Sequence, residues 1–158
     1  MSQQLLTFGQ FMAVVEHAPL VSIDLLVYNP QGQVLLGWRN NRPASGHWFV
    51  PGGRVLKNET LDTAFQRLCL AELGVALPRT QAQWQGVYEH FYADNAGDMP
   101  GFGTHYVVLA YRLLLDEMQL AALPVGEQHA RYCWLSPAEA AQHPQVHSHS
   151  RDYFAPAT

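Results

Sequence analysis

The sequence predicts an α/β sandwich, with a mixed β-sheet held between helical layers. Three observations lead there. Runs of β-branched and apolar residues of strand length recur along the chain. Apolar positions at helical spacing fall before, between and after those runs. Between them, Pro51-Gly52-Gly53-Arg54 forms a glycine-rich loop feeding a helix of about four turns. With 158 residues and 48% hydrophobic content, residues 1–158 read as one domain with a full core.

Taken in order, Phe8, Phe11, Met12 and Val15 recur at helical spacing, so a short helix is expected up to His17, before Pro19 breaks the pattern. Val21 to Tyr28 reads as a strand. Asn29-Pro30-Gln31-Gly32 is a turn, because proline presets the φ of the second position. Val34 to Trp38 is the returning strand, Asn40 to Gly46 a loop and Trp48 to Val50 a short strand. Asn58 is an expected N-cap for a helix spanning Thr60 to Leu73, which Gly74 stops as a C′ glycine would. Trp84 to Tyr92 and Thr104 to Leu115 are further strands. The Gly-, Pro- and Asp-containing loop between them is of functional length. Ala130 to Leu135 is a last strand, Pro137 opens a short helix, and His147 to Phe154 is helical or irregular.

The formal net charge of −4 argues against nucleic acid or an anionic membrane surface as a general partner. Yet Arg39, Arg42, Arg54, Lys57 and Arg67 cluster around the glycine loop, a pattern suited to a small anionic ligand or to a solvated charged loop. Cys69 and Cys133 lack metal-site or disulfide spacing, and Cys69 reads as a small buried hydrophobe. No signal peptide and no bilayer-spanning run is apparent, which points to a cytoplasmic, reducing environment.

Glu72 falls on the helix side that carries Leu61, Phe65 and Leu68. A carboxylate aligned with an apolar stripe needs a partner, either a metal ion or Arg67. The histidine-poor, oxygen-rich surroundings suit Mg²⁺, with Mn²⁺ also possible. Glu59 in a first turn suits the helix dipole and reads as structural. Arg39, Arg54 and Arg67 are candidate phosphate ligands, since guanidinium grips phosphate oxygens bidentately. Arg67, within the helix, is equally suited to a salt bridge, and Tyr106 to an ordinary strand aromatic. His129 lies in Glu127-Gln128-His129, where a loop histidine is either solvated or a proton acceptor near neutral pH.

Gly53, Glu59, Arg67, Glu72, Gly74 and Val75 resemble the signature of the Nudix family, with its spaced Glu, Arg, Glu and Gly residues after a glycine. Leu68 and Ala71 stand where a full Nudix box carries acids. That departure is similar to the GDP-mannose mannosyl hydrolase branch. Pro19–Asp24, Asn41–Ala44, Trp48–Arg54, Ala71–Gly74, His90–Tyr92, Thr104–Val108 and Glu127–His129 also look like that branch, so the likeness runs from about Phe8 to Phe154. The resemblance implies a Nudix-like α/β/α sandwich, a GDP-sugar substrate, a homodimer and few bound metals. It implies a metal held by Glu72, the Gly52 carbonyl and Gln128. His129 would be the general base, Arg39, Arg54, Arg67 and Tyr106 would bind diphosphate, and Asp24 would offset positive charge on the sugar in a pocket shaped by His90. The histidines at 17, 47, 105, 143, 147 and 149 receive no role.

With acids missing from the helix, water attack at the anomeric carbon, releasing GDP and sugar with inversion, is favoured over attack at phosphorus. A pyrophosphohydrolase, a non-catalytic nucleotide-sugar binding module and a metal-independent glycosidase are the competing readings.

Overall fold

The computed structural model describes residues 5–124 and 132–156. Helix α1 spans Phe8–His17, closed at its start by a reciprocal capping box between Thr7 and Gln10. Strands follow at Leu20–Tyr28 (β1), Val34–Arg39 (β2), His47–Phe49 (β3) and Gly52–Arg54 (β4). Then come helix α2 at Leu61–Leu73 and strands β5 at Gln83–Tyr92 and β6 at Thr104–Leu114. Helix α3 (Glu117–Ala121), strand β7 (Tyr132–Leu135) and helices α4 (Pro137–Gln142) and α5 (Ser148–Arg151) complete the chain.

One seven-stranded sheet runs β3-β2-β1-β6-β5, with β4 added to β1 and β7 to β2. β1 and β6 are parallel and the other pairs antiparallel, so the sheet is mixed, as the sequence predicts. β1 is buried on both faces, and its period of two sorts residues between two cores. Ile23, Leu25 and Val27 pack with Phe65, Leu68, Cys69 and Leu73 of α2. Leu26, on the other face, joins Leu36, Ala140, Val146, Tyr153 and Phe154. Helical layers on both faces make the α/β/α sandwich. Among the described residues no helix is long and apolar enough to cross a membrane.

Three local expectations are corrected. Thr60, not Asn58, caps α2: its side chain accepts from the Thr63 amide, while Asn58 sits in the left-handed region at φ 67°. Asparagine tolerates that conformation, so residue 58 turns the loop instead of starting the helix. The glycine pair is not a loop; it forms β4, and Gly53 and Gly52 pair with Ile23 and Asp24 of β1. Glycine is needed there because a Cβ on Gly52 would strike the Ile23 carbonyl and one on Gly53 would strike Leu68 Cδ2. Helix α3 adds an element where the sequence reading has none, because a capped piece of five residues carries little periodicity to read, whereas the short helix opened by Pro137 is present as α4.

Gly74 does end α2 in the left-handed conformation at φ 77°. Cys69 is fully buried, and burial pushes its thiol up to about 12, so it acts as a hydrophobe. Gly52→Ala is expected to cost about 2 kcal/mol or more, because backbone must move. Gly53→Ala should cost less, since the flexible end of Leu68 gives way. Urea unfolding of the two variants checks the order.

Candidate active site

Two adjoining cavities open where β1, β2, β4 and β6 meet. The first, about 330 Å³, is lined by Asp24, Arg39, Arg54, His90, Tyr106 and Ser150 among others. The second, about 220 Å³, holds Glu72 and Tyr132. Arg39, Asn41, Phe49, Val50 and Gly52 belong to both walls.

Local structure places each group. Asp24 lies on the β1 face that also carries Leu26, directly opposite Gly52 in the β1–β4 register. Its carboxylate is half-buried, and burial raises it to about 6; a hydrogen bond from Tyr153 and the positive charge of Arg39 act in the opposite direction. It therefore remains mostly ionised at neutral pH. Arg39 ends β2, donates from Nη1 to the Pro43 carbonyl at 3.0 Å, and stacks 3.6 Å above the Phe49 ring. Arg54, at the end of β4, rests 4.4 Å over the Phe11 ring, so α1 props up this cation. His90 and Tyr106 are directly paired across β5 and β6. Burial raises the Tyr106 phenol and so keeps it a hydrogen-bond donor at neutral pH.

Of the predicted site residues, Asp24, Arg39, Arg54, His90, Tyr106 and Gly52 share the first cavity. Glu72 shares the second with Arg39 and Gly52. Arg67 stands apart: it bridges to Glu59 at 2.7 Å (Nε–Oε2) and 3.0 Å (Nη2–Oε1) and donates to the Arg54 carbonyl at 2.8 Å. Glu59 in turn accepts from the Leu56 amide, so this pair ties α2 to the loop before it. The Arg67 bond holds the Glu59 carboxyl below its usual range. Gln128 and His129 lie outside the described residues.

The metal question turns on Glu72. One of its oxygens is shielded from solvent at a cavity wall shared with Gly52. The other α2 carboxylate, Asp62, is held by Arg79 at 2.7 Å on the surface. Among the described residues no group of three or more His, Cys, Asp or Glu side chains is arranged to hold a metal. This donor set fits a hard cation that takes most of its shell from water and phosphate, and does not fit a multinuclear carboxylate cluster.

Sequence reasoning missed the C-terminal segment. Ser150 lines the first cavity and accepts from the Val50 amide at 3.1 Å. His149 stacks face to face on His90, 4.3 Å apart and 3° from parallel, and His147 stacks on Phe49 at 4.7 Å. The available signal was the density of histidine and aromatic residues between His143 and Phe154. No spacing rule ties such a stretch to Val50, 100 positions earlier, or to the other residues of the cavity.

Burial, then neighbouring His149, lower His90 to about 4; His147 is lowered to about 4 for the same leading reason. The unfolded chain takes up a proton on each below about pH 6.5, while the folded chain resists until about pH 4. Their contribution thus turns destabilising as pH falls through that window. Asp24 acts oppositely, since its folded carboxyl protonates near 6 and the unfolded one near 3.8. His90→Gln should gain stability over the native chain, on the order of 3 kcal/mol, between pH 7 and pH 4. Asp24→Asn should lose a comparable amount. Urea unfolding at both pH values reads each difference.

The geometry agrees with the kinship of the chain. It is 41% identical over 138 residues to the low-salt glycan biosynthesis protein Agl8 of Haloferax volcanii, covering 87% of this chain and 83% of that one. A MutT NUDIX hydrolase from Burkholderia pseudomallei superposes with a TM-score of 0.66 at 26% identity, over 90% of this chain and all of that one. A MutT protein from Methanosarcina mazei Go1 gives 0.67 at 21% identity, over 87% and 92%. The NUDIX domain pattern matches residues 18–156, and the chain belongs to the Nudix hydrolase family.

Proposed function

We propose that this protein hydrolyses a GDP-sugar, GDP-mannose foremost, by water attack at the anomeric carbon, releasing GDP and the free sugar with inversion. The observation that supports it best is the division of charge. Helix α2 offers the cavities one carboxylate, Glu72, while Asp24 and His90 share the first cavity with Arg39, Arg54 and Tyr106. Attack at phosphorus calls for several helix carboxylates to organise metals and water; Leu68 and Ala71 supply none. Attack at carbon needs a stabilised leaving group, an anion beside the sugar and a base for the water.

In this reading Arg39 and Arg54 bind the diphosphate bidentately and Tyr106 donates its hydroxyl to it. The Asp24 carboxylate, ionised at neutral pH, faces the developing positive charge on the sugar. His90, kept neutral by burial, bounds the sugar pocket without adding positive charge beside it. His129 takes the proton from water on the face away from the leaving group. Glu72, the Gly52 carbonyl and Gln128 would hold Mg²⁺ or Mn²⁺, which when bound neutralises charge on the departing diphosphate. A relative that is a low-salt glycan biosynthesis protein is compatible with a sugar nucleotide substrate.

Hydrolysis of a panel of nucleotide sugars in heavy-oxygen water should place the label in the sugar and leave GDP unlabelled. Label in a phosphate, with sugar phosphate and GMP as products, would instead identify a pyrophosphohydrolase. Binding without metal-dependent turnover would identify a non-catalytic module. His129→Gln should lower turnover about 10²- to 10⁴-fold while GDP binding persists. Unchanged turnover would remove His129 from the scheme.

A further inference from the structure

The proposed reaction assigns no work to the C-terminal segment, yet that segment reaches Asp24. Tyr153 donates its hydroxyl to Asp24 Oδ2 at 2.7 Å. The other carboxylate oxygen faces β4, where a Cβ on Gly52 would lie 2.7 Å from Oδ1. The two oxygens are thus distinguished: one is held by the phenol, the other borders the cavity wall. The plane of an aspartate carboxylate is weakly set by its own rotamer preference, because the terminal torsion is broad. A fixed external donor is what defines it here.

Tyr153 is itself well held. Its ring is 9% exposed, packs edge-on against Tyr88 at 4.7 Å and lies 5.9 Å from His90. The segment leading to it is pinned by backbone hydrogen bonds, Trp48 N to Gln145 O at 2.8 Å and His147 N to Trp48 O at 3.0 Å, and by the Ser150 bond to Val50. We propose that Tyr153 is a positioning residue for the hydrolysis, its phenol fixing the orientation of the Asp24 carboxylate toward the sugar, and that residues 145–153 form a structural wall of the active site. This rests on the reading that Asp24 faces the reacting sugar.

The test is a double-mutant cycle on the full chain with GDP-mannose and Mg²⁺. Tyr153→Phe keeps the ring and removes only the hydroxyl. It should lower kcat about ten- to a hundredfold, with KM and GDP affinity little changed, as expected when a reacting group is misoriented and ligand contacts are intact. Because Tyr153 acts through Asp24, the Asp24→Asn/Tyr153→Phe double variant should be no slower than Asp24→Asn alone. Urea titration of each variant separates this from loss of fold. Should Tyr153→Phe not fold, Tyr153→Met, whose flexible side chain fills the vacated space, takes its place in the cycle. Losses that multiply in the double variant, or native kcat in Tyr153→Phe beside an impaired Asp24→Asn, would overturn the positioning role alone. Native turnover in Asp24→Asn would remove the Asp24 reading and the positioning role with it.

Discussion

The close approach of β4 to β1 is the constraint on which the site depends. At Gly52 the two backbones come so near that any side chain would collide with the Ile23 carbonyl. That contact sets the register, Asp24 opposite Gly52 and Ser22 opposite Arg54, and so decides which groups meet. It brings the Gly52 wall against the Asp24 carboxylate and leaves Arg54 at the end of the short strand, over Phe11. On the other side Gly53 leaves room for Leu68, so α2 lies close to the sheet and carries Glu72 to the rim of the second cavity. Two missing side chains thereby hold a strand, a helix and both cavities together.

Within that frame the electrostatics are arranged around Arg39. Its guanidinium, seated on Phe49, borders both cavities. Its field lowers Asp24 against the upward push of burial, and adds to the burial that depresses His90 and His147. The consequence is a division of states at neutral pH: arginines charged, the carboxylate largely ionised, these two imidazoles neutral. Among the described residues the cations lining the first cavity are guanidinium groups, which offer an anionic ligand a constant positive field. Neutral histidines beside it add shape and aromatic surface without competing for the anion.

Much of this was legible in the residues. The central strands β1 and β6 have β-branched and apolar runs, α2 has apolar spacing and a terminal glycine, and the Gly, Arg and Glu positions of the loop–helix carry the family signature. Asp24, Arg39, Arg54, His90 and Tyr106 lie within or beside those stretches and are gathered into one cavity. What escaped was set by tertiary contact. Asn58 and Thr60 are both acceptable caps, and only the path of the loop selects the second. The role of Gly52 and Gly53 depends on what lies across from them, which no local rule contains. Tyr153 and Asp24 are separated by 129 positions, and their hydrogen bond exists because α4 and α5 fold back across the sheet.

The helix that lacks acids also explains itself by packing. Leu68 is 4% exposed, belongs to the core formed with Phe65 and Leu73, and covers the space over Gly53. A carboxylate at that position would be buried beside backbone and aliphatic groups, where an unpartnered charge costs several kcal/mol. It would survive only with a cation drawn in close to β4. Ala71, by contrast, is exposed, and nothing in the core opposes an acid there. The chain has therefore committed residue 68 to holding α2 against the glycine strand. An acid restored at residue 71 alone would lack the inner partner with which to share a metal. The structural demand for an apolar residue at 68 thus accounts for the sparse acids of α2 by packing alone, and it accords with the proposed reaction, which asks only Glu72 of that helix.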